Sequence, residues 1–154
     1  MRGVYRLCDT ISAVTTAKTL LYITTPATCV IEILSARITA QDEDTSEQIM
    51  AELNRIATLG TPTATTITPK PTEELSAASA VTAKSNVTAS EPTYDDESAA
   101  IASGGSNKLA GWEYVPLPEE RAVIKPSDSV GLRLIDAIAT STDLTAEIVY
   151  REIG

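Results

Sequence analysis

Between Leu144 and Ile153 the chain alternates with a period of two: Leu144, Ala146, Ile148 and Tyr150 share one face, and Thr145, Glu147, Val149 and Arg151 share the other. That period fits a half-buried β-strand and no helix, because successive side chains of a strand point to opposite sides. The same pattern returns at Ser129–Ile135, where Val130, Leu132 and Leu134 face inward. Short apolar runs broken by turn residues recur from end to end, and about one residue in seven is threonine. β-Branched side chains suit a pleated, half-buried surface. The expectation is a single all-β domain spanning 1–154, an antiparallel sandwich or barrel of about eight to ten strands.

Residues 1–12 form an N-terminal arm or, at Val4–Leu7, a first short strand. Thr19–Thr24 is apolar on both faces and must be covered twice, by its own core and by something else, for which a partner subunit is the simplest cover. In Thr28–Thr39 the buried face switches: Cys29, Ile31 and Ile33 share one side, Leu34, Ala36 and Ile38 the other, as a β-bulge or sharp bend produces. Thr45–Leu59 supports two readings. Thr45 with Gln48 resembles a capping box and Ile49, Met50, Leu53, Ile56 and Ala57 fit a helical stripe, yet Ile49, Ala51 and Leu53 also alternate. The stretch 69–107, rich in Ser, Ala and Thr and punctuated by Pro69, Pro71, Pro92 and Gly104-Gly105, reads as a long loop-rich excursion at the surface. Further strands are expected at Lys108–Val115 and Arg121–Lys125.

The side chains that would carry chemistry are sparse. With no histidine, the usual acid–base residue and the commonest metal ligand are missing. Neither a nucleophile elbow nor a phosphate loop is present, and an adjacent Lys84-Ser85 is the sole formal base–nucleophile pair. The carboxylate runs Asp42-Glu43-Asp44, Asp95-Asp96-Glu97 and Glu119-Glu120 read as solvated loops, since glycosidase acids face each other across a cleft. Cys8 and Cys29 are expected as reduced thiols rather than a disulfide or metal pair. No catalytic, cofactor-binding or metal-binding residue is assigned, and the expectation is a protein that is not an enzyme. A net charge of −9 opposes binding to phosphate backbones, so no nucleic-acid partner is expected. No apolar run approaches the ~20 residues of a membrane helix, and Ile11–Thr16 is too polar for a signal-peptide core. Neither a membrane partner nor secretion is therefore expected.

The most distinctive segment is Pro116-Leu117-Pro118-Glu119-Glu120-Arg121, where two prolines fix a turn ahead of three charges. Rigid charged loops lose little entropy on docking. Glu119, Glu120 and Arg121 are accordingly the candidate partner-binding residues, supported by Trp112 and Tyr114 on the preceding strand. Trp112 and Tyr114 also fit plain core packing, and the loop an ordinary hairpin.

Five blocks carry a family resemblance: AKTLLYITTPAT (17–28), ELNRIATLGTPTATTITPKP (52–71), NVTASEPTY (86–94), GWEYVPLPEERAVIKPSDSVGLRL (111–134) and AEIVYREIG (146–154). In these the chain resembles the decoration or cement proteins that stabilise the heads of tailed bacteriophages. The Glu74–Ser85 region and the Glu97–Asn107 loop lie outside the likeness, and the Ala/Ser-rich stretch around Leu75–Ala83 departs from it. The resemblance implies a jelly-roll-like fold, a strand rather than a helix at Ile49–Leu59, and no catalytic residues. It further implies homotrimers made in a bacterial cytoplasm and placed on the outer capsid surface, bridging copies of the major capsid protein. A receptor-binding or tail-fibre-associated trimeric β-domain would share this composition; exposed aromatic clusters would favour it, and the chain has few aromatics. A cupin-type enzyme usually holds its metal with histidines, which this chain lacks.

Overall fold

The structure, a computed structural model, describes residues 3–41, 46–73 and 77–153. Its strands are β1 (Gly3–Val14), β2 (Lys18–Thr24), β3 (Val30–Ala40), β4 (Gln48–Thr58), β5 (Thr63–Ile67), β6 (Lys70–Pro71) and β7 (Thr82–Ala89). They continue with β8 (Thr93–Tyr94), β9 (Ala102–Asn107), β10 (Trp112–Tyr114), β11 (Val123–Ile124), β12 (Ser129–Leu134) and β13 (Thr142–Ile153). Among the described residues these make two antiparallel sheets. Sheet A runs β10–β3–β13–β1–β6, with β11 on the same edge of β3 as β10. Sheet B runs β5–β7–β2–β12–β4–β8, with β9 also on β4.

The register reveals one long hairpin rolled up. Gly3 faces Glu152, Thr24 faces Ser129, Glu32 faces Val123 and Gln48 faces Asn107, so the partners in each pair lie equally far from a midpoint at about residue 77. Successive pairs alternate between the sheets: β1–β13 in A, β2–β12 in B, β3 with β10 and β11 in A, β4–β9 in B. Rolling then lays β13 on β3 and β12 on β4. This is the jelly-roll connectivity, a double-sheet sandwich.

One core lies between the sheets, filled from β1 by Leu7 and Ile11, from β3 by Ile31 and Ile38, and from β12 and β13 by Leu132 and Ile148. Each such aliphatic side chain contributes about 1.5–3 kcal/mol over its exposed state. The alternation expected for β12 and β13 is the one observed. The switch of face in β3 is a bulge: Tyr150 pairs with Ile33 and Val149 with Ser35, so Leu34 has no opposite number. That extra residue resets the parity, and Ile31, Ile33, Ala36 and Ile38 all enter the same core. β4 is a strand whose Ile49, Ala51 and Leu53 face the core, so of the two readings of this stretch the period of two prevails. Thr45 and the run Asp42-Glu43-Asp44 lie outside the described residues.

Three expectations need correction. Val4–Leu7 is part of a twelve-residue strand, not a short one. The strand expected at Lys108–Val115 begins at Trp112, because Lys108 to Ala110 form the turn after β9. The stretch 69–107 is loop-rich, but half of its described residues lie in strands: β9 is a strand of the jelly roll itself, and β7 extends sheet B beside β2. Small residues disguise β9 because its neighbours come close; a side chain at Gly105 would meet Met50 Sδ at 2.8 Å. The outer side of β2 is covered by the chain itself. Tyr22 packs with Ile56 and Val87, and with Leu59, Ala64 and Tyr94, in a second small cluster. The double-sided apolarity of β2 therefore gives no argument for a partner subunit.

Polar contacts fasten this cover. Tyr94 stacks on the Arg133 guanidinium at 4.2 Å, and its hydroxyl lies 2.8 Å from Thr19 Oγ1. Thr19 Oγ1 donates to Glu91 at 2.6 Å, and Arg133 reaches the fully buried Glu52 at 3.1 Å. On the other side, Ser79 Oγ donates to the buried Glu152 carboxylate at 2.6 Å beside the stacked Tyr5–Tyr150 pair.

Candidate interaction surface

β10 and β11 pair with the same edge of β3, so the chain between them, 115–122, leaves the sheet and projects from its edge. Pro118–Glu120 closes into a single 3₁₀ turn with proline at its start. The loop and the start of β11 carry three of the large apolar side chains most open to solvent: Val115 is 66% exposed, Leu117 64% and Val123 51%. Glu119 and Glu120 stand exposed on the turn. The Tyr114 hydroxyl donates to the Glu120 carbonyl at 3.4 Å, tying the loop to β10, and partial burial pushes its phenol above the ordinary value of 10.0.

The expected site residues thus divide. Glu119 and Glu120 face solvent. Tyr114 supports the loop from half-buried ground, whereas Trp112 is a core residue. Arg121 turns away from its two acidic neighbours, and its Nη1 lies 3.8 Å from Glu32. The apolar members, Val115, Leu117 and Val123, were missed by reading the charges first.

Arg121 joins a larger arrangement on the outer face of sheet A. Glu32 accepts hydrogen bonds from Arg151 Nε at 2.8 Å and from Arg151 Nη2. Further along, Glu147 takes Arg6 Nε, and its Oε1 lies 2.8 Å from Arg37 Nε. Each glutamate is thereby held between two arginines from neighbouring strands or the adjoining loop. The glutamates are nearly buried, 9% and 6% exposed, while the side chains of Arg6 and Arg37 are half exposed. These residues are scattered from position 6 to position 151, so only the register brings them together; Glu147 and Arg151 did stand on the polar face of the last strand.

An open cleft of about 480 Å³ lies at one end of the sandwich, where Arg55 and Asp95 from the sheet B side meet Val123, Lys125 and Asp128. Elsewhere the pair Lys84-Ser85 does not converge. Adjacent in a strand, the two point to opposite faces; Ser85 donates to Asp9 inside, and Lys84 lines the outer side with Tyr22. Among the described residues no three of Cys, Asp and Glu gather as metal ligands. Cys8 is exposed, Cys29 is buried, and no disulfide joins them.

Compared with protein-family models, curated proteins and solved structures, the chain matches none of them.

Proposed function

We propose that this chain is a non-enzymatic structural protein of a bacteriophage virion, which docks on the outer surface of the head and stabilises it by bridging neighbouring copies of the major capsid protein. The observation that carries this reading is the projecting loop with Val115, Leu117 and Val123 exposed on a stiff sheet edge. Covering each of these side chains is worth up to about 1.5–3 kcal/mol, and prolines on either side of Leu117 limit what ordering the loop loses. Any protein that binds only the intact shell opposes its disruption through its binding free energy. The family resemblance supplies the identity of the partner, and the homotrimer it implies belongs to the same proposal.

Co-sedimentation with heads assembled without the protein tests it. The wild type should pellet with the heads, and a Val115→Asp/Leu117→Asp variant that keeps its fold should bind at least about tenfold more weakly, since two apolar contacts are replaced by charges. A wild type left in the supernatant would overturn the reading. If it bound host cells instead, the tail- or fibre-associated alternative would take its place.

A further inference from the structure

The whole chain carries a net charge of −9, but the outer face of sheet A has the opposite sign. Cross-strand pairing puts Arg6 with Lys70, Cys8 with Glu147 and Arg37, and Arg151 with Glu32 on that face. Glu113 pairs with Arg37, and Arg121 reaches Glu32 from the adjoining loop. Five basic groups (Arg6, Arg37, Lys70, Arg121, Arg151) therefore stand against four acidic ones (Glu32, Glu113, Asp143, Glu147), a surplus of one. The surplus is larger where solvent meets it, because Glu32 and Glu147 lie almost buried beneath the guanidinium groups.

One arginine is enough to neutralise each glutamate. The second leaves each cluster positive, and the shared glutamate holds both arginines in place. Arg6 uses its Nε on Glu147 and Arg37 uses its Nε and Nη2, so N–H groups remain on both for another acceptor. A guanidinium already ordered in this way loses less freedom on meeting a carboxylate than a free side chain does. The two clusters centre on the rows of Glu147 and Arg151, four residues apart along β13 and hence about 13 Å apart. Between these rows lies Val149, partly exposed.

We infer that the outer face of sheet A is a docking surface for an acidic protein segment, whose carboxylates, spaced about 13 Å apart, meet the Arg6–Arg37 and Arg121–Arg151 pairs. It rests on the reading above only in taking the partner to be protein. Protein is favoured over nucleic acid because a phosphate chain extending past this face would run over an acidic molecule, whereas a few carboxylates need touch only the clusters. Val123 lies in the same cross-strand row as Glu32 and Arg151, so this face is continuous with the apolar loop edge.

Cys8 serves as a built-in reporter, since it is exposed on this face opposite Glu147, while Cys29 is buried. The experiment follows the rate at which a maleimide modifies Cys8 in the wild-type protein at low salt, with and without short poly-L-glutamate. Bound polyglutamate should slow the reaction about tenfold, and high salt should restore it. Arg37→Gln, which leaves Arg6 to neutralise Glu147, should weaken the protection about fivefold or more, and Lys125→Gln at the end of the sandwich should not. The absence of protection, or protection unchanged in Arg37→Gln, would overturn the inference. Equal protection by an oligothymidylate of the same charge would also overturn it, in favour of a phosphate site. No heads are used, so failure here and failure of the head-binding reading are separate results.

Discussion

Gly131 sits between Tyr22 and Asn54 on its two neighbouring strands, directly beneath the ring of Tyr94. A Cβ there would meet two ring carbons at 2.9 Å and overlap the hydroxyl. Gly131→Ala should therefore displace Tyr94 from Arg133 and Thr19 and destabilise the protein by about 1–3 kcal/mol, read as a lower denaturant midpoint. Glu47 makes a second, different prediction. Its carboxylate accepts from the backbone N–H groups of Ala139 and Thr140 and faces the buried Lys108 ammonium at 3.8 Å. The Ala139 N–H, foremost among these, holds the carboxyl below its ordinary 4.5. A group depressed in the folded state stabilises above its unfolded value and loses that contribution as the pH falls through its folded one. Glu47→Gln should accordingly lose less stability than the wild type between neutral pH and pH well below 4.5. Parallel acid dependence of the two proteins in urea titrations would contradict this. None of these contacts was legible in the sequence: Gly131 looks like any glycine in a strand, and Glu47 finds its partners about sixty to ninety residues away.

Individual elements were more legible than individual contacts. β12 and β13 declared themselves by alternation of their apolar residues. In both, one face enters the core, while the other face of β13 is mostly polar and that of β12 carries small or polar residues beneath Tyr94. β3 declared a change in parity, which a bulge or a sharp bend would each produce, and the register shows the bulge. The bulge makes a sharp expectation. Deleting Leu34 must turn either Ile31 and Ile33 or Ala36 and Ile38 away from the core, at roughly 4 kcal/mol or more, whereas Leu34→Ala should remove about 1.5 kcal/mol or less. Thermal unfolding of the two variants checks the contrast, and equal losses would mean that the register is not fixed there. β7 and β9 escaped notice for a physical reason. β7 buries Ala83, Ser85 and Val87, of which only Val87 is a strong strand former, and β9 lies on the edge of β4 with small, partly exposed residues, so neither shows the run of large apolar residues that marks a strand. In the candidate surface the charged residues drew attention, and the apolar ones between them did not.

At the scale of the molecule, almost every pairing joins distant parts of the chain. Arg6 meets Glu147 across 141 residues and Arg151 meets Glu32 across 119. Such a topology folds slowly, because each closure loses chain entropy before its contacts form. Refolding from denaturant should take milliseconds to seconds, and a stopped-flow trace complete within tens of microseconds would refute that. The jelly roll also explains how an acidic protein can present a cationic face. Rolling stacks β1, β13 and β3 side by side, so outward residues from both ends and the first third of the chain fall in adjacent rows. The sequence could disclose the polar row of each strand, but not which rows would be neighbours.

The mirror-like register has a consequence for a ribosome. β1 leaves it first, carrying Tyr5, Leu7, Ile11 and Val14, yet its main partner β13 is made some 141 residues later. At ordinary bacterial elongation speeds that delay is on the order of ten seconds. Throughout it β1 has no native partner beyond the two residues of β6, and its apolar row is open to chaperones or to other nascent copies. A force-sensitive translational arrest sequence placed at successive lengths should register no pull from sheet A until β13 has emerged, and then a single late one.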